Sequence, residues 1–182
     1  MMNARVMRYL ALAFFLLGLP LFGSLYRSNS LGQPLELLES ADDASQHRYV
    51  LTISVTGQGT QIHELYDASV LIKRTEMTGS ALTSGTRNVS EWYYDDTGAM
   101  IQEIATVYDQ GLPRRIRTRI PQEQWDHMTL HAYHEGQLVE TKELVDGELY
   151  RLTTYYRGTD GVLRGLRVID LDAEQYDCFF SE

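Results

Sequence analysis

Three closely spaced histidines, His127, His131 and His134, are the first residues whose types invite chemistry. On a helix, His127 and His131 would stack one turn apart and could share a metal with a carboxylate such as Glu123. The neighbouring residues point elsewhere. Met128, Leu130 and Ala132 alternate with His127, Thr129, His131 and Tyr133, which is the period-two pattern of a strand. His127 and His131 then share a polar face and His134 falls in the turn, so no metal site is expected. Arg115, Arg117 and Arg119 alternate with Ile116, Thr118 and Ile120, which makes an arginine ladder on one strand face. Such a ladder is a candidate contact for an anionic partner. Its competitor is cross-strand pairing with Glu103, or with Glu140 and Glu143. Gly57-Gln-Gly59-Thr-Gln-Ile62 begins like a dinucleotide loop but lacks the third glycine and a following helix, so it reads as a hairpin turn. Asp170-Leu-Asp172-Ala-Glu174 lacks the glycine and distal glutamate of a calcium loop. There is no P-loop and no nucleophile elbow. The expectation is a protein without catalytic residues or cofactors.

Aromatic residues are the denser signal. Trp92, Tyr93, Tyr94, Tyr108, Tyr133, Tyr150, Tyr155 and Tyr156 crowd one stretch. Adjacent strand residues point to opposite faces, so one set packs and the other is exposed or covered. Tyrosine offers large contact area at low entropic cost, as binding surfaces need. Trp92, Tyr93 and Tyr155, with Arg115, Arg117 and Arg119, are therefore the candidate binding residues. The single cysteine, Cys178, excludes an intramolecular disulfide. Beside Phe179 and Phe180 it is expected to pack as a small apolar residue in a C-terminal strand.

These residues need elements to hold them, and the pattern is that of an all-β chain. Tyr49, Leu51, Ile53 and Val55 alternate with Val50, Thr52, Ser54 and Thr56. Further runs cover Gln61 to Tyr66 and Ser69 to Met77, and Gly79 to Asn88 reads as a Ser/Thr/Gly loop. Gly85, Gly98, Gly111, Gln122-Glu-Gln124, Gly136, Gly147 and Gly161 mark turns about 11 to 14 residues apart. The expected fold is an antiparallel meander, an open, curved or half-closed sheet, over 47–182. A 24–46 linker precedes it, in which Leu35-Glu-Leu-Leu-Glu39 is expected to make a helical turn or two.

The turns share one grammar. Tyr94-Asp-Asp-Thr-Gly98-Ala-Met100, Tyr108-Asp-Gln-Gly111-Leu112, Tyr133-His-Glu-Gly136-Gln-Leu138 and Tyr156-Arg-Gly-Thr-Asp-Gly161-Val-Leu163 each close a strand on an aromatic, turn on glycine and reopen on an aliphatic. Val145-Asp-Gly147-Glu-Leu149 follows the same plan. Trp92-Tyr93-Tyr94-Asp-Asp-Thr-Gly98-Ala-Met100 resembles the Tyr-Asp-x-x-Gly-x-Leu units of YD-type and MORN-type β-hairpin repeat proteins, over about residues 90–171. That resemblance implies a repeated antiparallel sheet used as scaffold or binding surface. In size, strand content and export the chain is also similar in outline to periplasmic lipoprotein carriers, though none of their motifs is present.

With 16 Lys+Arg against 25 Asp+Glu the formal charge is −9, which argues against nucleic-acid binding. The N-terminus reads as an export signal. Arg5 and Arg8 flank an apolar run from Tyr9 to Leu19, followed by Pro20 and Leu21-Phe-Gly-Ser24. Residues 1–23 are thus expected to be a signal peptide, with an uncleaved inner-membrane anchor as the alternative. The functional expectation is an exported, non-catalytic module of the periplasm or cell surface that binds an envelope protein. The alternative is a periplasmic carrier of a lipid or lipoprotein acyl chain. Fractionation and N-terminal sequencing test the first step. The expected outcome is envelope protein beginning shortly after Gly23; soluble cytoplasmic protein starting at Met1 would overturn it.

Overall fold

The computed structural model describes residues 23–79, 85–171 and 175–180. Residues 1–22, read as an export signal, the middle of the Ser/Thr/Gly loop and most of the calcium-like run lie outside them. Thirteen strands and one short helix follow in chain order: β1 (Ser24–Ser28), β2 (Pro34–Leu38), α1 (Ala41–Ser45), β3 (Tyr49–Val55), β4 (Gln61–Asp67), β5 (Val70–Thr78), β6 (Thr86–Tyr94), β7 (Met100–Asp109), β8 (Leu112–Ile120), β9 (Trp125–His134), β10 (Gln137–Val145), β11 (Glu148–Arg157), β12 (Leu163–Asp170) and β13 (Gln175–Phe179). All belong to one sheet of order β13-β12-β11-β10-β9-β8-β7-β6-β5-β4-β3-β1-β2. The antiparallel meander expected from the period-two runs is therefore the fold. No described helix is long and apolar enough to cross a membrane.

The chain divides into two compact units, one running to Gly79 with Val89–Ile101, the other from Gln102 onward with the start of β6. In the first unit Leu51 and Leu65 are the most buried apolar residues, joined by Tyr66 and Ala44. Thr52 is fully buried as well. Glu64 makes that burial tolerable. It accepts from the Tyr66 hydroxyl (3.0 Å) and from Thr52 Oγ1 (3.5 Å), and pairs with Arg74 (3.2 Å). Burial, and then the Glu64 carboxylate, push the Tyr66 phenol far above its ordinary value, so it stays protonated as donor. In the second unit Thr141, Thr153 and Val168 form the most buried row, and they are directly opposed across β10, β11 and β12.

Two expectations about the early chain are corrected. Leu35 to Glu39 is not helical; Pro34–Leu38 is β2. The Asn29–Gly32 turn folds it back on β1, pairing Leu25 with Leu38 and Arg27 with Glu36. Pairing with β1 overrides the local helical propensity of Leu-Glu-Leu-Leu-Glu. The helix forms next, at Ala41–Ser45, where Ser40 Oγ caps the Asp43 N–H (3.1 Å) and Asp42 and Asp43 occupy the first turn. The loop expected up to Asn88 is shorter, because β6 already begins at Thr86.

Two turn designs join the hairpins. In one, Asn29, Thr56, Asp95 and Gly158 accept a backbone hydrogen bond from a glycine three residues on, and that glycine has φ between 78° and 84°. Asp95 shows why the Tyr-Asp-x-x-Gly pattern works. Its carboxylate accepts from the Thr97 hydroxyl and from the N–H groups of Thr97 and Ala99, which also lowers its pKa. The other design is a two-residue turn with positive φ at both positions: Gln110-Gly111, Glu135-Gly136, Asp146-Gly147 and Ala68-Ser69. The last stands out, since Ser69 holds φ 79° without being glycine. Ser69→Gly should relieve that strain and stabilise the protein by about 1 kcal/mol, read as a higher denaturant midpoint with unchanged slope; a lower midpoint would contradict the turn.

Candidate functional site

The register of β7 to β12 sorts the side chains of the second unit onto two faces. On one face lie Trp125, His127, His131 and Tyr133 of β9, Thr141 and Glu143 of β10, Arg151, Thr153 and Tyr155 of β11, and Val168 and Asp170 of β12. The opposite face carries Arg115, Arg117 and Arg119 of β8 with Glu103 of β7 and Asp126 of β9.

The histidine face has a charged ladder across four strands. His127 Nε2 stands 3.6 Å from Glu143, Arg151 lies 3.8 Å from Glu143, and Arg151 donates to Asp170 at 3.1 Å. The Trp125 and His127 rings stack with centroids 5.2 Å apart and planes 7° from parallel. His131 Nδ1 meets Thr141 Oγ1 at 3.2 Å, and its pKa is lowered by burial, partly offset by the Glu143 carboxylate. The sequence reading of β9 places His127 and His131 correctly on one face, but His134 is the last strand residue, paired with Gln137, and not part of the turn. Among the described residues no group of three or more His, Cys, Asp or Glu is disposed to hold a metal ion.

The arginine ladder is bound up with acids. Arg117 chelates Asp126 through both Nε and a terminal nitrogen, and Arg119 contacts Asp126 (3.4 Å) and Glu103 (3.6 Å). The Arg117 hydrogen bonds hold the Asp126 carboxyl below its ordinary pKa. Glu103 was a foreseen partner and Asp126 was not. Glu140 pairs instead with Lys142, and Glu143 lies on the other face. Arg115 is exposed on β8 with no ion-pair partner among the described residues.

The tyrosines separate into two groups. Tyr49, Tyr93, Tyr108, Tyr133, Tyr150 and Tyr156 each carry a cation over the ring, from Arg48, Lys73, Arg87, Arg114, Arg151 and Arg167, at 4.5 to 5.8 Å. Such contacts stabilise by about 0.5–1 kcal/mol each at exposed sites. Tyr93 is thus committed to Lys73 in the first unit, next to Trp92 on the opposite strand face. Tyr155 has no such cation among the described residues. It lines an open concavity of about 510 Å³ between the β9–β10 and β11–β12 turns, with Val139, Gln137, Glu135, Arg157 and Asp160. The candidate binding residues therefore do not converge. Trp92 and Tyr93 belong to the first unit, while Tyr155 and the three arginines occupy opposite faces of the second. The turn residues around Tyr155 escaped the sequence reading, because two turns separated by β10 and β11 become neighbours only through the β9–β12 register.

Cys178 is exposed, contrary to the packed position expected of it. It lies on β13, the edge strand of the sheet among the described residues.

The lowered His131 pKa sets a pH dependence. A histidine whose folded pKa lies below its unfolded value contributes stability that is intact above pH 6.5 and declines as pH falls toward the folded pKa. His63, lowered by burial in the first unit, acts in the same window. The carboxylates of Asp67, Asp126 and Asp177, with lowered pKa values, weaken the fold only at far more acid pH. Denaturant titrations at neutral and mildly acid pH should show a falling midpoint, and His131→Asn should shrink that fall. An unchanged fall in the variant would place the titration elsewhere.

Compared with known proteins, the chain matches no family model, no curated protein and no solved structure.

Proposed function

We propose that the chain is a non-catalytic binding module of the cell envelope that engages a protein partner at the turn-lined concavity around Tyr155. One observation carries this reading. Tyr93, Tyr108, Tyr133 and Tyr156 each lie under a cation of the neighbouring strand, whereas the half-buried Tyr155 carries no such cation among the described residues and lines a concavity rimmed by polar turn residues. An aromatic anchor within a polar rim is the anatomy of a protein-binding patch. The resemblance to hairpin-repeat scaffolds points the same way, and the apolar N-terminal run behind Arg5 and Arg8 supports an envelope location.

The lipid-carrier alternative is weaker on physical grounds. Burying an acyl chain yields about 0.8 kcal/mol per CH₂ only where water is excluded by apolar walls. The more shielded face of the second unit instead presents His127, Glu143, Arg151 and Asp170. A photo-crosslinking phenylalanine at position 155 tests the proposal in cells. The expected outcome is a discrete protein adduct in the envelope fraction, absent when the same probe replaces Tyr150, whose ring lies under Arg151. Tyr155→Ala should lower recovery of that partner about tenfold, as loss of a buried aromatic anchor does, with the strand circular dichroism retained. Absence of any position-155 adduct, or saturable fatty-acid binding lost on placing a charge at Leu152 or Leu166, would reverse the preference.

A further inference from the structure

The two strands at the ends of the sheet order are protected differently. β2 opens on Pro34 and carries an extra residue at its register shift against Arg27 and Ser28, both of which discourage pairing with another strand. β13 has neither device. It pairs with β12 in unbroken register from Gly165–Phe179 to Ile169–Gln175, and it contains no Pro, Lys or Arg. Its one charge, Asp177, pairs with Arg167 at 2.7 Å. Phe179 and Phe180 are 71% and 51% exposed. An unprotected edge of this kind is a template for a further strand.

One hydrogen bond fixes which backbone groups are open. The Phe180 N–H donates to the Arg164 carbonyl at 2.8 Å. By the alternation of an antiparallel ladder, Phe180 and Cys178 direct their backbone groups toward β12, and Asp177 and Phe179 direct theirs away. We propose that β13 pairs with the β13 of a second copy of this chain, antiparallel about a two-fold axis through Cys178. Asp177 and Phe179 of one copy then exchange N–H···O=C bonds with Phe179 and Asp177 of the other. Charge selects this register, because centring the axis on Asp177 would oppose two carboxylates, while centring it on Cys178 opposes each acid to an apolar ring. Cys178 faces Cys178 in a non-hydrogen-bonded pair, with Cα atoms about 4.5 Å apart, a separation that a disulfide can span. Gly165 lets β13 lie this close to the sheet, since a Cβ there would stand 2.7 Å from the Cys178 carbonyl oxygen. The edge is separate from the Tyr155 concavity, so this pairing holds or fails independently of the proposed function.

Sedimentation equilibrium of the full chain in mild detergent, with three variants, tests the pairing. The wild type and Cys178→Ser should both show a concentration-dependent monomer–dimer equilibrium. Phe179→Pro removes one outward N–H from each copy and leaves the bonds to β12 in place, so the dimer dissociation constant should rise about tenfold or more. Phe179→Lys, which keeps the backbone donor and adds charge to the edge, should weaken the dimer likewise. In the wild type, diamide should accept two electrons and two protons from the facing thiols and leave a disulfide-linked dimer that dithiothreitol reverses. A wild type that stays monomeric at every concentration would overturn the proposal. So would a dimer, or a cross-link yield, that neither Phe179 variant diminishes.

Discussion

Side-chain pairing between neighbouring strands is the interaction on which this protein depends. All thirteen described strands lie in one sheet, and among the described residues few large apolar side chains are fully buried. Backbone ladders set the spacing of the strands, but side-chain contacts must fix their register. Here those contacts are largely cations lying over tyrosines and arginines chelating acids on the adjacent strand. Arg167 does both, lying over Tyr156 of β11 while chelating Asp177 of β13. Each contact is weak alone, and their number along the meander substitutes for apolar burial.

That economy shapes what is left for function. In a chain with an acidic excess nearly every described cation is engaged by a carboxylate, a ring or a carbonyl, and Arg115 is the exception. A basic patch for anionic ligands is thereby largely dismantled, although the sequence displays three alternating arginines. Aromatic surface is similarly divided between rings held under cations and rings without one among the described residues, and Tyr155 falls in the second class.

Much of the fold was legible because hairpin meanders write themselves locally. Period-two alternation in β3, β4, β5, β9 and β11 and glycine at the turns needed no knowledge of distant residues. The failures were of two kinds. β2 was hidden because Leu-Glu-Leu-Leu-Glu suits a helix in isolation and becomes a strand only through pairing with β1, a tertiary effect that local propensity does not register. Partner identities were hidden for a related reason. Whether Arg117 meets Glu140 or Asp126 depends on which strand lies next to β8 and in what register, and a one-residue slip exchanges the faces. Cys178 looked apolar from its phenylalanine neighbours, but burial requires a covering element, and β13 is an edge.

From β3 to β13 the sheet follows the order of the chain, which has a kinetic consequence. Consecutive strands are sheet neighbours, so loop-closure entropy stays small and contact order is low for an all-β protein. The sheet can grow by adding one strand at a time to an existing edge, without waiting for a distant segment to arrive. Its exception is the β2-β1-β3 arrangement, where β3 must dock on β1 after the chain has passed through β2 and α1. That docking is the one step in the first unit that spans an intervening hairpin strand and helix, and so the natural place for a slow phase in assembly.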